Sequence, residues 1–339
     1  MAVMLGYDAL AGVLSMNDAM DLLERALEHE ADGRTAVSPK FVTNFESGSL
    51  RMLVAADYAA GYCATKAYNT TEGVGTRYVV SLYRLADGEL LALLDGQLIT
   101  DLRTGAASGV VARRVRFDEP VALGLIGSGH QAAMQLESLA AVYRLASVAV
   151  YSPTAHNRNA FAEGMSARLG IPVTPVESAE AAVRGRTVVA TASGSRSSEP
   201  VVRGAWLDSC RLLCAVGNTR PHCKETDVDC FRDTALLVVD SKHALEEAGE
   251  LREAVGQRVV HDGNCTTLAN VVVGRQRLPS VGRITFKSVG TALQDLALAV
   301  RYYELVGRDK ALCAEPQLAS LRRPVSEKFA PVTRAPKVT

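Results

Sequence analysis

The sequence predicts an α/β fold, with a doubly wound parallel sheet and a second α+β region for dimerisation and substrate. Three observations carry this. Short apolar runs, VALGLIG (121–127), SVAVY (147–151), TVVATAS (187–193), RLLCAVG (211–217) and ALLVVD (235–240), alternate with helical patterns. Continuous apolar strands of this kind are buried on both faces, as in parallel sheets. The stretch before residue 115 instead reads as helix, β-rich segment and helix. Finally, 339 residues that are 48% hydrophobic and 22% charged suffice for two cores.

The elements follow in order. Asn17 to Asp32 is an amphipathic helix, because Met20, Leu23 and Leu27 recur at spacings of three and four and Gly33 stops it. RYVVSLYR (77–84) and ELLALLD (89–95) flank Ala86-Asp87-Gly88, a hairpin signal. ITDLRTGAASGVVARRV (99–115) is helical, with Thr100 as the expected N-cap. Beyond Pro120 the strands listed above are joined by helices at Phe161–Gly170 and Ser178–Gly185, with IPVTPV (171–176) extended. A last long helix is expected over Val289–Val306, leading back to the first region. The expected domains are therefore 1–117 with 300–339, and 118–299.

Composition narrows the function classes. Lys+Arg and Asp+Glu are both 37, so the net charge is zero and no broad grip on nucleic acid or anionic membrane is expected. No apolar run reaches the length of a membrane span. The start, MAVMLGYDALAGVL, has no Lys or Arg ahead of it and is interrupted by Asp8, unlike a signal peptide. The tail from Arg322 to Thr339 carries Arg322, Arg323, Lys328, Arg334 and Lys337 against Glu327, and reads as a solvated arm. Cysteines 63, 210, 214, 223, 230, 265 and 313 form no C-x-x-C pair and are odd in number. Neither disulfides nor a metal site is expected, and thiols in a reducing cytoplasm are.

Gly127-Ser128-Gly129-His130-Gln131-Ala132 stands between a strand and a helix, with another strand about 20 residues on, the context a dinucleotide loop requires. Gly127 permits the turn, Gly129 lets backbone approach a pyrophosphate, and Ala132 allows close helix–strand packing. The segment is the start of a Rossmann-type domain. An NAD site usually has Asp or Glu at the end of the second strand. Here that strand ends Tyr151-Ser152-Pro153-Thr154-Ala155-His156-Asn157-Arg158, with no carboxylate. Ser152 and Thr154 suit donation to a 2′-phosphate, and Arg158 or His156 suits its charge. NADP(H) is therefore expected over NAD(H).

Several ordered segments resemble the ornithine cyclodeaminase/mu-crystallin family across nearly the whole chain. They are Lys66 in CATKAYN, LLDGQLITDLRTGAAS (93–108), GLIGSGHQA (124–132), VVATASGS (188–195), AVGNTRPHCKETD (215–227), AGE (248–250) and ITFKSVGTALQDLALA (284–299). The resemblance implies a homodimer, a Rossmann domain between the two parts of a mixed domain, and hydride transfer between nicotinamide and the α-carbon of an amino or imino acid. It also assigns roles. Arg103 matches the substrate-binding arginine, whose guanidinium fork suits a carboxylate. Lys66 matches the active-site lysine, which binds the carboxylate or passes a proton to the nitrogen. Lys40, in Pro39-Lys40 where many members have arginine, is a weaker carboxylate ligand. Ser193, Gly217, Asn218, Ser288 and Val289 are expected near the nicotinamide or its ribose. Glu225, Asp227 and Asp229 read as solvated or capping, His222 and His243 as structural, and Trp206 as packing.

Thr219 stands in Gly217-Asn218-Thr219-Arg220-Pro221, where cyclodeaminases carry an aspartate. A threonine does not exchange protons near neutral pH as a carboxylate does. The loop therefore resembles the reductase branch. The expected function is NAD(P)H-dependent reduction of a cyclic ketimine or α-imino acid, or the reverse dehydrogenation. Two alternatives stand beside it: an ornithine or lysine cyclodeaminase using NAD catalytically, and a non-catalytic, crystallin-like ligand-binding protein.

Overall fold

A computed structural model describes residues 2–307. The basic tail from Arg322 and Cys313 lie outside the described residues. The chain forms two compact units. Among the described residues, one comprises 2–103 and 291–307 and the other Thr104–Gly290. The divisions fall after Arg103 and Gly290, whereas the sequence reading set its limits at 117/118 and 299/300.

The first unit opens with β1 (Val3–Leu5), α1 (Tyr7–Leu10) and α2 (Met16–Ala31). Helix α2 matches the expected amphipathic segment. Its N-terminus is set by Ser15, whose side chain accepts from the Asp18 N–H while the Asp18 carboxylate accepts from Ser15 N–H. Then come β2 (Thr35–Val37), β3 (Phe41–Phe45), β4 (Gly48–Asp57), β5 (Tyr62–Thr71), β6 (Gly75–Arg84), β7 (Leu90–Asp95) and α3 (Gly96–Ala112). The strands form one sheet in the order β1-β7-β6-β5-β4-β2, with β3 paired to β4. The β6–β7 hairpin is as expected, with Gly88 at φ +73° in the connection.

Helix α3 begins one turn earlier than expected, and Thr100 is not its cap. The Asp95 carboxylate accepts from Gln97 N–H at 2.8 Å, while Thr100 lies inside the helix and donates back to the Gly96 carbonyl. Arg103 is therefore two turns into the helix rather than in its first turn.

The second unit continues with β8 (Val121–Ile126), α4 (His130–Val142), β9 (Leu145–Tyr151), α5 (Ala155–Leu169), β10 (Val173–Pro175), α6 (Ala179–Val183), β11 (Val188–Thr191) and β12 (Leu212–Ala215). It ends with α7 (Asp229–Arg232), β13 (Thr234–Val239), α8 (Ala244–Glu247), α9 (Gly249–Gly256), β14 (Cys265–Thr267), α10 (Leu268–Val272) and β15 (Arg283–Lys287). All pairings in this sheet are parallel, in the order β10-β9-β8-β11-β12-β15-β13-β14. The chain order runs outward to one side from β8 and to the other from β11. A topological switch therefore lies between them, where open α/β sheets bind ligands. Strand β15, inserted between β12 and β13, was not distinguished in the sequence. Its five residues are all buried, yet two are Arg283 and Lys287, which mask the apolar run.

The chain then returns to the first unit through α11 (Ala292–Val306), which packs on β4, β5 and β6. Thr291 caps it, so Ser288-Val289-Gly290 is loop rather than the start of the helix. No helix among the described residues is long and apolar enough to cross a membrane.

The core of the second unit contains a fully buried ion pair, Lys287 Nζ to Glu250 Oε1 at 2.8 Å. Removing one partner strands a buried charge. Lys287→Met is expected to lower the unfolding free energy by about 3–5 kcal/mol in urea denaturation, and Lys287→Met with Glu250→Leu to recover most of that loss. A single variant as stable as the parent would show that the pair is not desolvated as described.

Candidate active site

In the first unit, strand alternation places Lys66 on the buried face of β5, together with Ala64. Its Nζ lies 2.8 Å from Asp295 Oδ1, on α11. Arg103 Nε is 3.3 Å from the same oxygen, and its Nη1 is 3.3 Å from Gln294 Oε1. Two cations from β5 and α3 thus converge on one carboxylate oxygen. Lys66 is only 2% exposed, and burial pushes its ammonium down to about 8. Asp295 opposes that shift, while Arg103 and Lys40 add to it. Lys40 is half-buried in the loop between β2 and β3 and acts on Lys66 through charge.

The rings of Tyr68 and Tyr78 lie tilted by 33° with centroids 5.3 Å apart, and Lys66 Nζ lies 5.9 and 5.1 Å from them. Arg51 on β4 also lies over Tyr68, at 5.9 Å. Aromatic faces of this kind hold cations without neutralising them. Asp295, Gln294, Arg51 and the two tyrosines were not singled out in the sequence. Asp295 had a signal: in ALQDLALAV it is a lone carboxylate amid apolar residues at helical spacing.

In the second unit the register levels the strand ends. Tyr151 pairs with Ile126, Ile126 with Thr191, Thr191 with Ala215, Ala215 with Lys287, and Lys287 with Val239. The residues that follow these ends therefore emerge at one edge of the sheet. They include Gly127, Ser152, Ser193, Gly217, Asn218, Ser288 and Val289. Thr219, half-buried, follows in the same loop as Asn218.

The glycine loop has the form a dinucleotide needs. Gly127 adopts φ +112°, and a Cβ there would meet the Ala192 carbonyl oxygen at 2.4 Å. Gly129 is the extended N-cap of α4 and carries no capping side chain. His130 and Gln131 form the first turn, both half-buried. A diphosphate fits a helix N-terminus built this way. Ser128 Oγ donates to Ser152 Oγ at 2.9 Å, which ties the loop to the end of β9.

Buried carboxylates hold the neighbouring loops. Glu225 is fully buried and not solvated as expected. It accepts from Thr191 Oγ1 at 2.7 Å, Ser193 N–H at 2.6 Å and Gly217 N–H at 2.8 Å. Gly217 must be glycine, since a Cβ would fall 2.1 Å from that carboxylate. Asp240 accepts from Ser288 Oγ at 2.6 Å and from the N–H groups of Val289 and Gly290 at 3.1 and 2.7 Å. The Asn218 side chain donates to Glu250 Oε2 at 2.6 Å, and Lys287 Nζ donates to the Asn218 carbonyl at 2.7 Å. Asp227 caps Gly204 and Cys230 as expected of a capping residue, and Asp229 is an exposed partner of Arg232. Trp206 packs, partly buried, against the core.

No carboxylate follows β9 in the chain, but one reaches its end in space. Arg158 is buried, donates from Nη1 to the Ser152 carbonyl at 3.3 Å, and pairs through Nη2 with Glu177. Thr154 is exposed at the N-cap of α5.

Known proteins are similar to this chain in sequence and fold. The chain is 32% identical to an alanine dehydrogenase of Archaeoglobus fulgidus, over 89% of this chain and 94% of that one. It superposes with a TM-score of 0.84 on Δ1-pyrroline-2-carboxylate reductase of Thermococcus litoralis in complex with NADH and L-proline. That protein is 30% identical, over 89% of this chain and 96% of that one. An archaeal alanine dehydrogenase dimer with bound NAD gives a TM-score of 0.81 at 29% identity, covering 89% and 95%. Residues 2–310 match the family model described as ornithine cyclodeaminase/mu-crystallin, and the chain belongs to that family.

Proposed function

We propose that the chain is an NAD(P)H-dependent oxidoreductase that reduces the imine carbon of a cyclic ketimine or α-imino acid to an L-amino acid, and that also runs the reverse dehydrogenation. The observation that carries this reading is the convergence of Lys66 and Arg103 on one oxygen of Asp295. Two cations against one anion leave a positive excess in a buried place, and Lys40 adds to it. A substrate carboxylate completes that balance, with the Arg103 guanidinium fixing its orientation through parallel bonds. The relatives named above, an alanine dehydrogenase and a pyrroline-carboxylate reductase, support an amino- or imino-acid substrate.

In this reading the glycine loop at 127–132 and the loops of Ser193, Gly217, Asn218, Ser288 and Val289 hold the dinucleotide. When bound, it supplies or accepts the hydride. Lys66 supplies the proton. Reduction needs a proton at the substrate nitrogen, and Lys66 Nζ holds one below about pH 8 and loses it above. Thr219 offers a hydroxyl that does not ionise near neutral pH and so does not act as a base as a carboxylate does, which favours net reduction over cyclodeamination. A cytoplasmic setting fits the free thiols of Cys63 and Cys265.

A second copy completes the assembly. Leu50, Met52 and Val54 alternate along β4 with buried Leu53 and Ala55, so they share the outer face. Phe41, Val42 and Phe45 on neighbouring β3 are exposed too. Single chains rarely leave such a patch in water. The archaeal alanine dehydrogenase dimer supports covering this face with a second copy.

Three measurements check this. With cyclic 2-carboxy imines, nicotinamide absorbance is expected to fall in proportion to amino acid formed. Release of ammonia from ornithine or lysine with no absorbance change would replace this reading with the cyclodeaminase one, and binding without either would leave a ligand-binding protein. Arg103→Ala is expected to lower kcat/KM by about 10- to 100-fold, the loss of a charge-assisted bond of about 1.5–3 kcal/mol. Unchanged turnover would remove Arg103 from the site.

The pH profile is the second check. Reduction should fall as pH rises through about 8, and the reverse reaction should rise there. Asp295→Asn removes the group that holds the proton on Lys66, so the fall should move to lower pH. A profile identical in parent and variant would exclude Lys66 as the titrating group.

For the third, equilibrium sedimentation should give twice the chain mass of 36.1 kDa, and Met52→Lys with Val54→Lys should give the single mass. A parent chain that sediments alone would remove the dimer.

A further inference from the structure

Glu177 lies immediately before Ser178, the N-cap of α6, and far in sequence from the glycine loop. The strand register brings it back. β10 pairs with β9 so that Val173 is opposite Val148, Thr174 opposite Ala149 and Pro175 opposite Val150. The last of these pairs is closed by Val176 N–H donating to the Val150 carbonyl at 2.9 Å. Glu177 follows in a bend, and Arg158 links it to the end of β9: Nη1 donates to the Ser152 carbonyl at 3.3 Å and Nη2 pairs with Glu177. Ser152 is the position at the end of the second strand where a carboxylate would select the unphosphorylated dinucleotide. In this chain the carboxylate comes from the third strand.

The surrounding groups make that placement consequential. Ser152 is buried and joined to the glycine loop through Ser128. Arg158 is also buried, with its guanidinium held on the Ser152 carbonyl and on Glu177. Arg158 is one of the two cations, with His156, that the sequence reading offered to a 2′-phosphate. Glu177 neutralises it. Glu177 is itself 87% exposed, so its carboxylate sits at the mouth of the site. A carboxylate there accepts from a 2′-hydroxyl and repels a dianionic 2′-phosphate, as like charges at close range disfavour each other.

We infer that Glu177 is the residue that selects between the two dinucleotides, that it sets the chain to prefer NAD(H) over NADP(H), and that removing its charge releases Arg158 to accept a 2′-phosphate. This rests on the reading of residues 127–132 as a dinucleotide loop. It reverses the preference expected from the second strand alone.

The test is calorimetric titration of the full chain with NAD+ and with NADP+, without substrate. The parent is expected to bind NAD+ more tightly. Glu177→Gln is expected to tighten NADP+ by about tenfold, a factor that corresponds to about 1.4 kcal/mol, and to leave NAD+ within a few-fold. Glu177→Asp should retain the parent ratio. Both replacements keep a side-chain oxygen that can accept from Arg158, so the variants should stay folded, which far-UV circular dichroism at the titration temperature checks. The NADP+ gain in Glu177→Gln should shrink in high salt, since screening weakens charge pairs near solvent. A parent that binds NADP+ more tightly, or a ratio unchanged by Glu177→Gln, overturns the inference while the dinucleotide reading stands. Failure of the parent to bind either dinucleotide overturns both.

Discussion

Backbone N–H groups at the carboxyl edge of a parallel sheet have left the ladder and must find acceptors, or be buried at a cost of a kilocalorie or more each. In this protein buried carboxylates are the acceptors. Glu225 takes the N–H groups of Ser193 and Gly217, and Asp240 takes those of Val289 and Gly290. These bonds fix the loops that follow β11, β12 and β15 without using any group of a ligand. The loops are therefore shaped before anything binds, which spares binding the cost of ordering them.

The first unit uses charge differently. Asp295 is buried with two cations on one of its oxygens, so the site is under-neutralised. Burial alone would drive Lys66 to its neutral form, and Asp295 keeps its titration at about 8. A lysine in that range can be either a charge for a carboxylate or a proton donor to nitrogen. Both roles left open by the sequence belong to the protonated ammonium, which Asp295, a residue that the sequence reading passed over, favours.

How much was legible follows from the kind of signal each residue leaves. Apolar strands in 121–240 were read closely because burial on both faces produces unbroken hydrophobic runs. β15 was missed because Arg283 and Lys287 break its run. The glycine loop was readable because Gly127 and Gly129 answer local backbone demands. Lys66 and Arg103 left no local signal and came only from resemblance. Glu225 was misjudged because a carboxylate between Lys224 and Thr226, with Asp227 next, looks solvated, and its burial depends on Gly217 leaving a space that a Cβ would fill. The N-cap of α3 was assigned to Thr100 because a capping pattern does not distinguish a cap from a threonine that bonds back within the helix.

Glu177 shows the limit of reading strands one at a time. A fingerprint that expects a carboxylate about 20 residues after the glycines assumes that the second strand supplies it. The segment after the third strand serves as well: β10 lies beside β9, and Arg158 joins Glu177 to the Ser152 carbonyl. The physical requirement is a negative group at that edge, whichever strand delivers it. An arginine in the first turn of α5 cannot be assigned to a phosphate until its own partners are known. Arg158 has one already, and so the charge that matters at this edge is the sum of the pair rather than the sign of either residue.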